Sequence, residues 1–183
     1  MIYLKEAVMQ DRKKIYNWLY FSDFSPFLNE LQSSSQIPSP REFKEDYEDF
    51  FFESSSPEKG QGYIIIIKQN EEDEIGFISY TSFHLMKGIA ELDIWLKSLD
   101  YTGKGYGTSA LKNLSEKLFD EGFHTLIIRP CAKNIRGVNS YKKAGFVESV
   151  FEPEKYYKKE YIDEYAPGDC KDGEDIFMVL KNI

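Results

Sequence analysis

Three glycines alternate with other residues at positions 103–107, where the sequence reads Gly-Lys-Gly-Tyr-Gly between a strand-like run and a helix-like run. Glycine lets the backbone take a positive φ and lie close against a ligand. The helix that follows would present unpaired N–H groups and the positive end of its dipole at this turn. The pattern predicts an anion site with a phosphate as its natural occupant. The alternative is an ordinary connection between a strand and a helix.

Two carboxylates precede that turn on a strand predicted over residues 90–97. Because side chains alternate along a strand, Glu91, Asp93 and Trp95 share one face, while the residues between them form an apolar face. Glu91 and Asp93 are therefore candidates for binding a cationic acceptor beside the anion site. The alternative is a polar face that only meets solvent.

The glycine turn fits neither of two common nucleotide-binding templates. In a Walker A loop the Lys follows the last Gly, whereas Lys104 precedes the last two glycines. A dinucleotide fingerprint would follow the first strand, with an acidic residue about 20 positions further on. The turn instead resembles the pyrophosphate-binding turn of the GNAT acyltransferases, Gln/Arg-x-x-Gly-x-Gly/Ala, with Thr102 where Gln or Arg is usual.

A second block carries the same resemblance. Residues 134–146 are similar to the GNAT pattern Asn-x-x-Ala-x-x-x-Tyr-x-Lys-x-Gly-Phe, with Gly137 in the Ala position. The block follows a strand-like run over residues 125–129, which is where that family has it. By these two motifs the chain is identified as a member of the GNAT acyltransferases.

The resemblance implies a fold, a co-substrate and a set of site residues. The expected fold is α+β (mixed α/β), with a central mixed, mostly antiparallel twisted sheet flanked by helices and a single domain over residues 1–183. Acetyl-CoA is expected in the V-shaped splay between the fourth and fifth strands, and no metal is expected. Backbone N–H groups around Trp95 and Leu96 would bind the acetyl oxygen and the pantetheine arm. The implied cofactor-binding residues are Trp95, Leu96, Gly103, Lys104, Gly105, Tyr106, Gly107, Thr108, Asn134 and Lys143.

Acetyl transfer to an amine sets three chemical requirements. The amine must lose a proton, the developing oxyanion needs a donor, and the departing thiolate benefits from a proton. Asp93 is the candidate that holds the ammonium and accepts its proton, directly or through water. An exposed Asp has a pKa near ~3.9 and is a poor base, so either its pKa is raised or its role is electrostatic positioning.

Tyr141 fits the family's general acid toward the coenzyme A sulfur. The alternative is a packed helix aromatic, since Ile135 and Val138 precede it at three-residue spacing. Lys104 and Lys143 would meet phosphates, although a lysine on a solvated surface needs no such role.

A narrower resemblance is to the aminoglycoside 6'-N-acetyltransferase group of the GNATs, in which an Asp at the place of Asp93 meets the acceptor amine. It implies a small cationic acceptor, with an aminoglycoside 6'-amine as the best guess and antibiotic resistance as the activity. Phe27, with Glu91 and Asp93, would contact that substrate.

Two departures from that group bear on the acceptor. The group has Asp-Pro after the strand that leads into the second motif, where this chain has Arg129-Pro130, and it tends to carry a Trp pair where this chain has Phe27-Leu28. The alternatives are GNAT chemistry on another amine, such as a protein N-terminus, a polyamine or a siderophore precursor, or a non-catalytic acetyl-CoA-binding module.

The composition and net charge of the chain limit the kinds of partner that it is expected to bind. The 183 residues are 42% hydrophobic and 16% aromatic, which is enough for a real core. A net charge of −8 argues against nucleic acid or an acidic membrane surface as the main partner, and it would attract a polycationic small molecule. The alternative is that the negative charge serves solubility alone. Since the sequence shows no signal peptide and no run approaching ~20 apolar residues, the protein is expected to be cytoplasmic. It is expected to be a monomer or a homodimer.

Cys131 and Cys170 are expected to be incidental thiols, since with only His84 and His124 available they form no metal-ligand pattern.

The elements that position these residues can be read from periodicity. Strands are predicted over residues 2–8, 62–68, 75–83, 90–97 and 125–129, and helices over 11–20, over 40–52 and from 105. Ser39 and Glu42 form a capping-box pattern with Pro40 at the first helical position. A meander that leads into a strand-helix-strand unit is typical of an α+β fold.

Overall fold

The computed structural model describes residues 1–28, 36–69, 71–168, 170 and 174–182. The side chain of Phe27, the predicted substrate contact, lies outside this described part. The backbone of Phe27 belongs to a short helix that follows the first long helix.

The described residues form one seven-stranded sheet. Its spatial order is β1-β2-β3-β4-β5-β7-β6, with β4 and β5 parallel and every other neighbouring pair antiparallel. This mixed, mostly antiparallel sheet with flanking helices confirms the predicted fold class. The strands are β1 (Ile2–Glu6), β2 (Gly60–Lys68), β3 (Glu72–Thr81), β4 (Ile89–Leu96), β5 (Thr125–Ile128), β6 (Val147–Glu148) and β7 (Met178–Lys181).

The parallel pair β4 and β5 separates partway along its length. The two strands pair from Ile89 with Thr125 to Glu91 with Ile127, and within the described chain their pairing ends there. On its other side β4 stays paired with β3 up to Leu96. Residues 92–96 therefore present an open backbone edge toward the space that β5 has left.

Helices cover both faces of the sheet. On one face, α4 and α5 contribute the cluster of Leu111, Leu114 and Val138 against Leu92. On the other face, α1 and α3 pack with a largely aromatic cluster around Trp95. The helices are α1 (Arg12–Phe21), α2 (Ser25–Leu28), α3 (Pro40–Asp46), α4 (Tyr106–Asp120), α5 (Ile135–Ala144), α6 (Pro153–Tyr156) and α7 (Ile162–Tyr165).

Helix α3 begins as the sequence predicts. The Ser39 hydroxyl accepts a hydrogen bond from the Glu42 N–H at 3.3 Å, and the Ser39 N–H donates to the Glu42 carboxylate at 2.7 Å. This reciprocal pair is the capping box, with Pro40 in the first turn.

The same helix ends earlier than predicted. It stops at Asp46, Tyr47 takes φ −110° and ψ 76°, and a 3-10 turn follows over Asp49–Phe52. Phe50, Phe51 and Phe52 are all buried. The predicted continuous helix over residues 40–52 is therefore replaced by α3 and this turn.

The two cysteines correct an expectation. Cys131 and Cys170 form a disulfide, with their Cα atoms 5.3 Å apart, and are not the incidental thiols that the sequence suggests. The Ala132 N–H donates to the Glu174 carbonyl at 2.9 Å, so the chain after β5 lies alongside the segment that precedes β7. This contact joins cysteines separated by 39 residues, which spacing alone does not reveal.

No helix in the described ranges is long and apolar enough to span a membrane. The cytoplasmic location, the single-domain organisation and the choice between monomer and homodimer stay predictions.

Replacing Leu114 by Ala should lower the free energy of unfolding by about 2–5 kcal/mol, because the substitution leaves a cavity between α4 and the sheet. Leu114 is fully buried in that cluster. Urea unfolding followed by circular dichroism measures the change. Glu116→Ala, at an exposed position of the same helix, should stay within ~0.5 kcal/mol of the parent, and an equal loss in both variants would contradict this packing.

Candidate active site

The turn before α4 has the backbone that its glycines permit. Gly103 has φ 72° and Gly105 has φ 80°, both in the left-handed region that other residues rarely adopt. Gly105 is the N-cap of the 15-residue helix α4, and no described side chain caps the helix there. The first N–H groups of α4 are thus available to an anion in the turn.

The first turn of α4 lies against α5 and β4. A Cβ atom at Gly107 would stand 3.5 Å from the Ser140 Oγ and 3.9 Å from the Ile94 Cδ1, and Gly107 itself is helical. The Thr108 hydroxyl lies 2.9 Å from the Ser140 hydroxyl, so this predicted cofactor residue also ties α4 to α5. Lys104 is exposed at the turn, whereas Tyr106 is half-buried against the core.

Asp93 is exposed on the part of β4 that β5 has left. Its Oδ1 accepts a hydrogen bond from the Ile94 N–H at 2.8 Å, and its Oδ2 accepts one from the Tyr47 hydroxyl at 3.1 Å. Two donors from different elements therefore fix the orientation of this carboxylate at the open edge.

The open edge of β4 also carries backbone donors. The Lys97 N–H donates to the Ile75 carbonyl of the β3 side at 2.8 Å. Because backbone groups alternate along an antiparallel strand, the N–H groups of Ile94 and Leu96 point the other way, toward the space beside β5. The N–H of Trp95 points toward β3, so Leu96 is the one of the two predicted residues whose amide faces the opening.

The indole of Trp95 belongs to the aromatic cluster on the α3 face. Its ring lies 4.8 Å from that of Phe77 and 5.6 Å from that of Tyr47, measured between ring centroids. Tyr47 also stacks on Phe43 at 4.7 Å. Tyr47 is thereby held in position by ring contacts while its hydroxyl reaches Asp93.

Tyr141 enters from α5 and is buried in the core beside Val138, whereas Ile135 is exposed. Burial, followed by the negative charge of Asp93, raises the pKa of Tyr141 above its ordinary value. The phenol therefore stays protonated through the neutral pH range. The catalytic roles of Tyr141 and Asp93 stay predictions.

Two other residues of the second motif have visible local roles. The Asn134 side chain accepts a hydrogen bond from the Gly137 N–H at 2.9 Å and so caps α5. Lys143 is exposed near the end of that helix. Their predicted contacts with coenzyme A stay predictions.

Glu91 lies on the same face as Asp93 but in a different environment. Its Oε1 accepts from the Arg129 Nε at 2.7 Å, and its Oε2 lies 3.3 Å from the His84 Nε2 and 3.2 Å from the Tyr157 hydroxyl. Burial disfavours the charged carboxylate, but the hydrogen bond from His84 and the charge of Arg129 outweigh it, so the pKa of Glu91 is lowered. Both oxygens are engaged by protein groups, and a direct contact with substrate stays a prediction.

Two tyrosines on the Asp93 side of the sheet have carboxylates among their neighbours. Burial, followed by the charges of Asp46 and other neighbours including Asp93, raises the pKa of Tyr20 to about 12. Burial and then neighbouring carboxylates that include Glu48 raise the pKa of Tyr165. Such a surrounding favours a positively charged occupant.

The described residues contain no cluster of three or more His, Cys, Asp or Glu side chains that would hold a metal ion.

A family model described as the acetyltransferase (GNAT) domain matches residues 2–147. The chain belongs to the GNAT acetyltransferase family. This confirms the resemblance drawn from the two sequence motifs and makes the chain an N-acetyltransferase by family. The remaining residues, including α6 and α7, follow the matched region.

Solved GNAT structures share this fold. Aminoglycoside acetyltransferase AAC(6')-Ib in complex with coenzyme A and kanamycin aligns with a TM-score of 0.68 and 21% identity, covering 100% of this chain and 95% of that one. A chimera of the spermidine N-acetyltransferase SpeG from Vibrio cholerae and hSSAT aligns at 0.67 and 15%, covering 98% and 95%. RimL, a ribosomal L7/L12 alpha-N-protein acetyltransferase in complex with coenzyme A, aligns at 0.68 and 15%, covering 98% and 93%. At these identities the likeness shows the fold, and a comparison with curated proteins finds no match.

Within this GNAT site, sequence reasoning missed two contributors. One is Tyr47, which reaches Asp93 from the position directly after the end of α3 and would lie inside the predicted helix over residues 40–52. The other is Arg129, whose ion pair with Glu91 requires the register of β4 with β5, which periodicity does not give.

The lowered pKa of Glu91 predicts how stability depends on pH. A carboxyl whose pKa is lower in the folded state contributes stability that is present above its ordinary value of 4.5 and is lost as the pH falls through the folded value. Below about pH 4.5, Glu91→Gln should therefore flatten the dependence of unfolding free energy on pH by up to about one proton.

Urea unfolding at several pH values between about 6 and 3 measures this slope. Glu116→Gln, at an exposed position of α4, serves as the control. An unchanged slope in Glu91→Gln would show that the Glu91 carboxyl titrates alike in the folded and unfolded chains.

Proposed function

We propose that this chain transfers an acetyl group from acetyl-CoA to a primary amine of a small cationic acceptor. The observation that carries the proposal is the placement of Asp93, which is exposed on the part of β4 that β5 has left and whose carboxylate is held by the Ile94 N–H and the Tyr47 hydroxyl. Tyr141, buried among the core residues of α4 and α5, is the hydroxyl that we propose for the leaving group.

The donor would bind along the opening and the turn. The uncapped start of α4, with its left-handed glycines Gly103 and Gly105, fits a pyrophosphate. The outward N–H of Leu96 suits the pantetheine arm or the acetyl oxygen, as a donor placed where charge develops. Lys104, Asn134 and Lys143 are the further contacts that we propose for coenzyme A.

Asp93 acts on the acceptor. Its carboxylate pairs with the incoming ammonium and takes one proton from it, directly or through water, which leaves a nucleophilic lone pair on nitrogen. The nitrogen forms a bond to the acetyl carbon as the bond from that carbon to sulfur breaks. Since the hydrogen bonds from Ile94 and Tyr47 hold the carboxylate, its orientation toward the acceptor is set before binding.

Tyr141 acts on the leaving group. A thiol has a pKa near ~8.5, which lies below that of an ordinary tyrosine and further below that of Tyr141. The phenol therefore donates a hydrogen bond to the departing sulfur and stabilises the thiolate. The second proton of the amine is lost as the amide forms and passes through solvent to the thiolate, while the proton that Asp93 has taken is released, so the products are one amide, one coenzyme A thiol and one proton.

The acceptor that we propose first is an aminoglycoside 6'-amine, which would make this a resistance-type activity. The acidic surroundings of Asp93 support a cationic acceptor, and structures of the same fold include enzymes titled as aminoglycoside, spermidine and protein N-terminal acetyltransferases. The other candidates are a polyamine, a protein N-terminus or a siderophore precursor, and a module that binds acetyl-CoA without turnover.

Asp93→Asn should lower kcat/KM for the amine by about 10²–10⁴-fold, since it removes both the ammonium partner and the proton acceptor. Release of coenzyme A thiol from acetyl-CoA is measured over a panel of aminoglycosides, polyamines and peptide N-termini. Calorimetry should show unchanged acetyl-CoA affinity. Asp120→Asn, exposed at the far end of α4, is the control, and full turnover in Asp93→Asn would contradict the assignment.

Tyr141→Phe should lower kcat by about 10–100-fold, because the thiolate loses its hydrogen-bond donor. The raised pKa of Tyr141 keeps the parent phenol protonated, so the ratio of parent to variant rates should stay constant between about pH 6 and pH 9. Tyr3→Phe, in β1 at the other edge of the sheet, is the control. A ratio near one across this range would make Tyr141 a packing residue only.

A further inference from the structure

The segment over residues 151–167, named here the C-terminal wall, follows the part of the chain that the family model matches. It contains α6 and α7 and packs against the loop between β3 and β4. The Met86 N–H donates to the Tyr156 carbonyl at 2.8 Å, and the Lys158 N–H donates to the His84 carbonyl at 3.0 Å. The wall is therefore attached to the face of the sheet that carries Glu91 and Asp93.

Arg129 holds this wall at its far end. The Arg129 Nη2 donates to the Tyr165 carbonyl at 2.9 Å, and Nη1 donates to the Ala166 carbonyl at 3.0 Å and the Pro167 carbonyl at 3.4 Å. Its Nε donates to Glu91 at 2.7 Å. One guanidinium thus joins Glu91 of β4 to three successive carbonyls, of which the first belongs to the last residue of α7 and the other two follow it.

The interaction between Arg129 and Glu91 is largely shielded from solvent. Its side chain is 11% exposed and that of Glu91 is 17% exposed. The guanidinium carbon lies 5.7 Å from the ring centroid of Phe151 and 5.6 Å from that of Tyr157, and Tyr157 also donates to Glu91. A charge pair in such surroundings is costly to break on one side, because the remaining charge is left buried without its partner.

The held segment presents aromatic side chains toward the α3 side of the site. Tyr165 stacks on His84, with ring centroids 4.6 Å apart and planes at 20°. The Phe83 ring lies 5.5 Å from Tyr165, 5.8 Å from Tyr161 and 5.9 Å from Phe50. These rings join the C-terminal wall to the aromatic residues that follow α3.

The position of Arg129 relative to Asp93 follows from the sheet. Ile127 pairs with Glu91, and Arg129, two residues further along the chain, bonds to Glu91, which lies two residues before Asp93 on the same face of β4. Its charge is directed to Glu91 and to the carbonyls of the wall. Glu91 and Asp93 are thereby separated in function, since one anchors the wall and the other faces the opening.

We propose that Arg129 is the positioning residue that fixes the C-terminal wall and thereby sets acceptor specificity. This inference rests on the proposed function, because it takes the surroundings of Asp93 as the acceptor site. The wall, with Tyr161 and Tyr165, forms one side of that site, and its placement depends on the fork of Arg129. A lysine carries the same charge without the planar fork, so it can pair with Glu91 but not span the three carbonyls.

Arg129→Lys and Arg129→Met should each raise the KM of the acceptor by about tenfold or more, while the KM of acetyl-CoA changes by less than about twofold. Tryptic cleavage at Lys155, Lys158 or Lys159 should become faster in both variants, because these sites lie in the released wall. Arg41→Met, whose side chain is 91% exposed in the parent, should match the parent in every readout.

The double variant Glu91→Gln with Arg129→Met separates positioning from stability. It removes both charges, so it should recover much of the stability that Arg129→Met loses. The acceptor KM should stay high, because the tethers to the three carbonyls are still missing. Recovery of both stability and acceptor KM would show that Arg129 only compensates a buried charge, and would overturn the proposal.

Two further results are decisive. An acceptor KM within about twofold of the parent in Arg129→Lys overturns this inference and leaves the proposed function intact. Absence of turnover on every amine in the parent defeats the proposed function, and the inference fails with it. Arg129→Lys keeps a charge beside Glu91, so it serves as the folded test if Arg129→Met does not fold.

Discussion

The separation of β4 from β5 after Glu91 and Ile127 is the constraint on which the rest of this site depends. Two parallel strands that stayed paired would use the outward N–H and carbonyl groups of residues 92–96 for each other. Their divergence leaves the N–H of Leu96 facing the opening, while the Asp93 carboxylate accepts from the N–H of Ile94 and β3 still holds the other side of β4. The first turn of α4 lies against this region, since Gly107 is close to Ile94, so the glycine turn at residues 103–107 lies next to the same opening.

Two carboxylates on the same face of β4 lie in different surroundings and make different contacts. Glu91 stands where β4 and β5 are still paired, and it is buried against Arg129, His84 and Tyr157. Asp93 is two residues further, where the strands have parted, and is exposed to the opening. The same chemical group thus joins remote parts of the chain at one position and, two residues further on, is exposed at the opening where we propose that the acceptor binds.

Several features of the fold and the site could be predicted from the sequence, because they depend on interactions within one turn or one strand. The turn at residues 103–107, the capping box at Ser39 and the two faces of β4 follow from glycine conformations, hydrogen bonds within one turn and strand alternation. The mixed, mostly antiparallel sheet with flanking helices follows from the GNAT resemblance, and the family match confirms that resemblance.

The rest depends on contacts between residues distant in the chain. The bond from Tyr47 to Asp93 spans 46 positions, the pair of Arg129 with Glu91 spans 38, and the disulfide spans 39. None of these contacts produces a periodic pattern in the sequence. Each forms because the sheet brings segments that are distant in the chain close together. The early end of α3 combines both kinds of cause, since a local run of three phenylalanines is buried by tertiary packing.

Amide hydrogen exchange with and without acetyl-CoA tests the central claim most directly, because it reads the open edge of β4 without requiring a known acceptor. If the donor occupies the opening between β4 and β5, exchange should slow in peptides that cover residues 92–96 and 103–108, and residues 60–68 of β2 should be unaffected. Unchanged exchange over residues 92–108 at saturating acetyl-CoA would contradict the account.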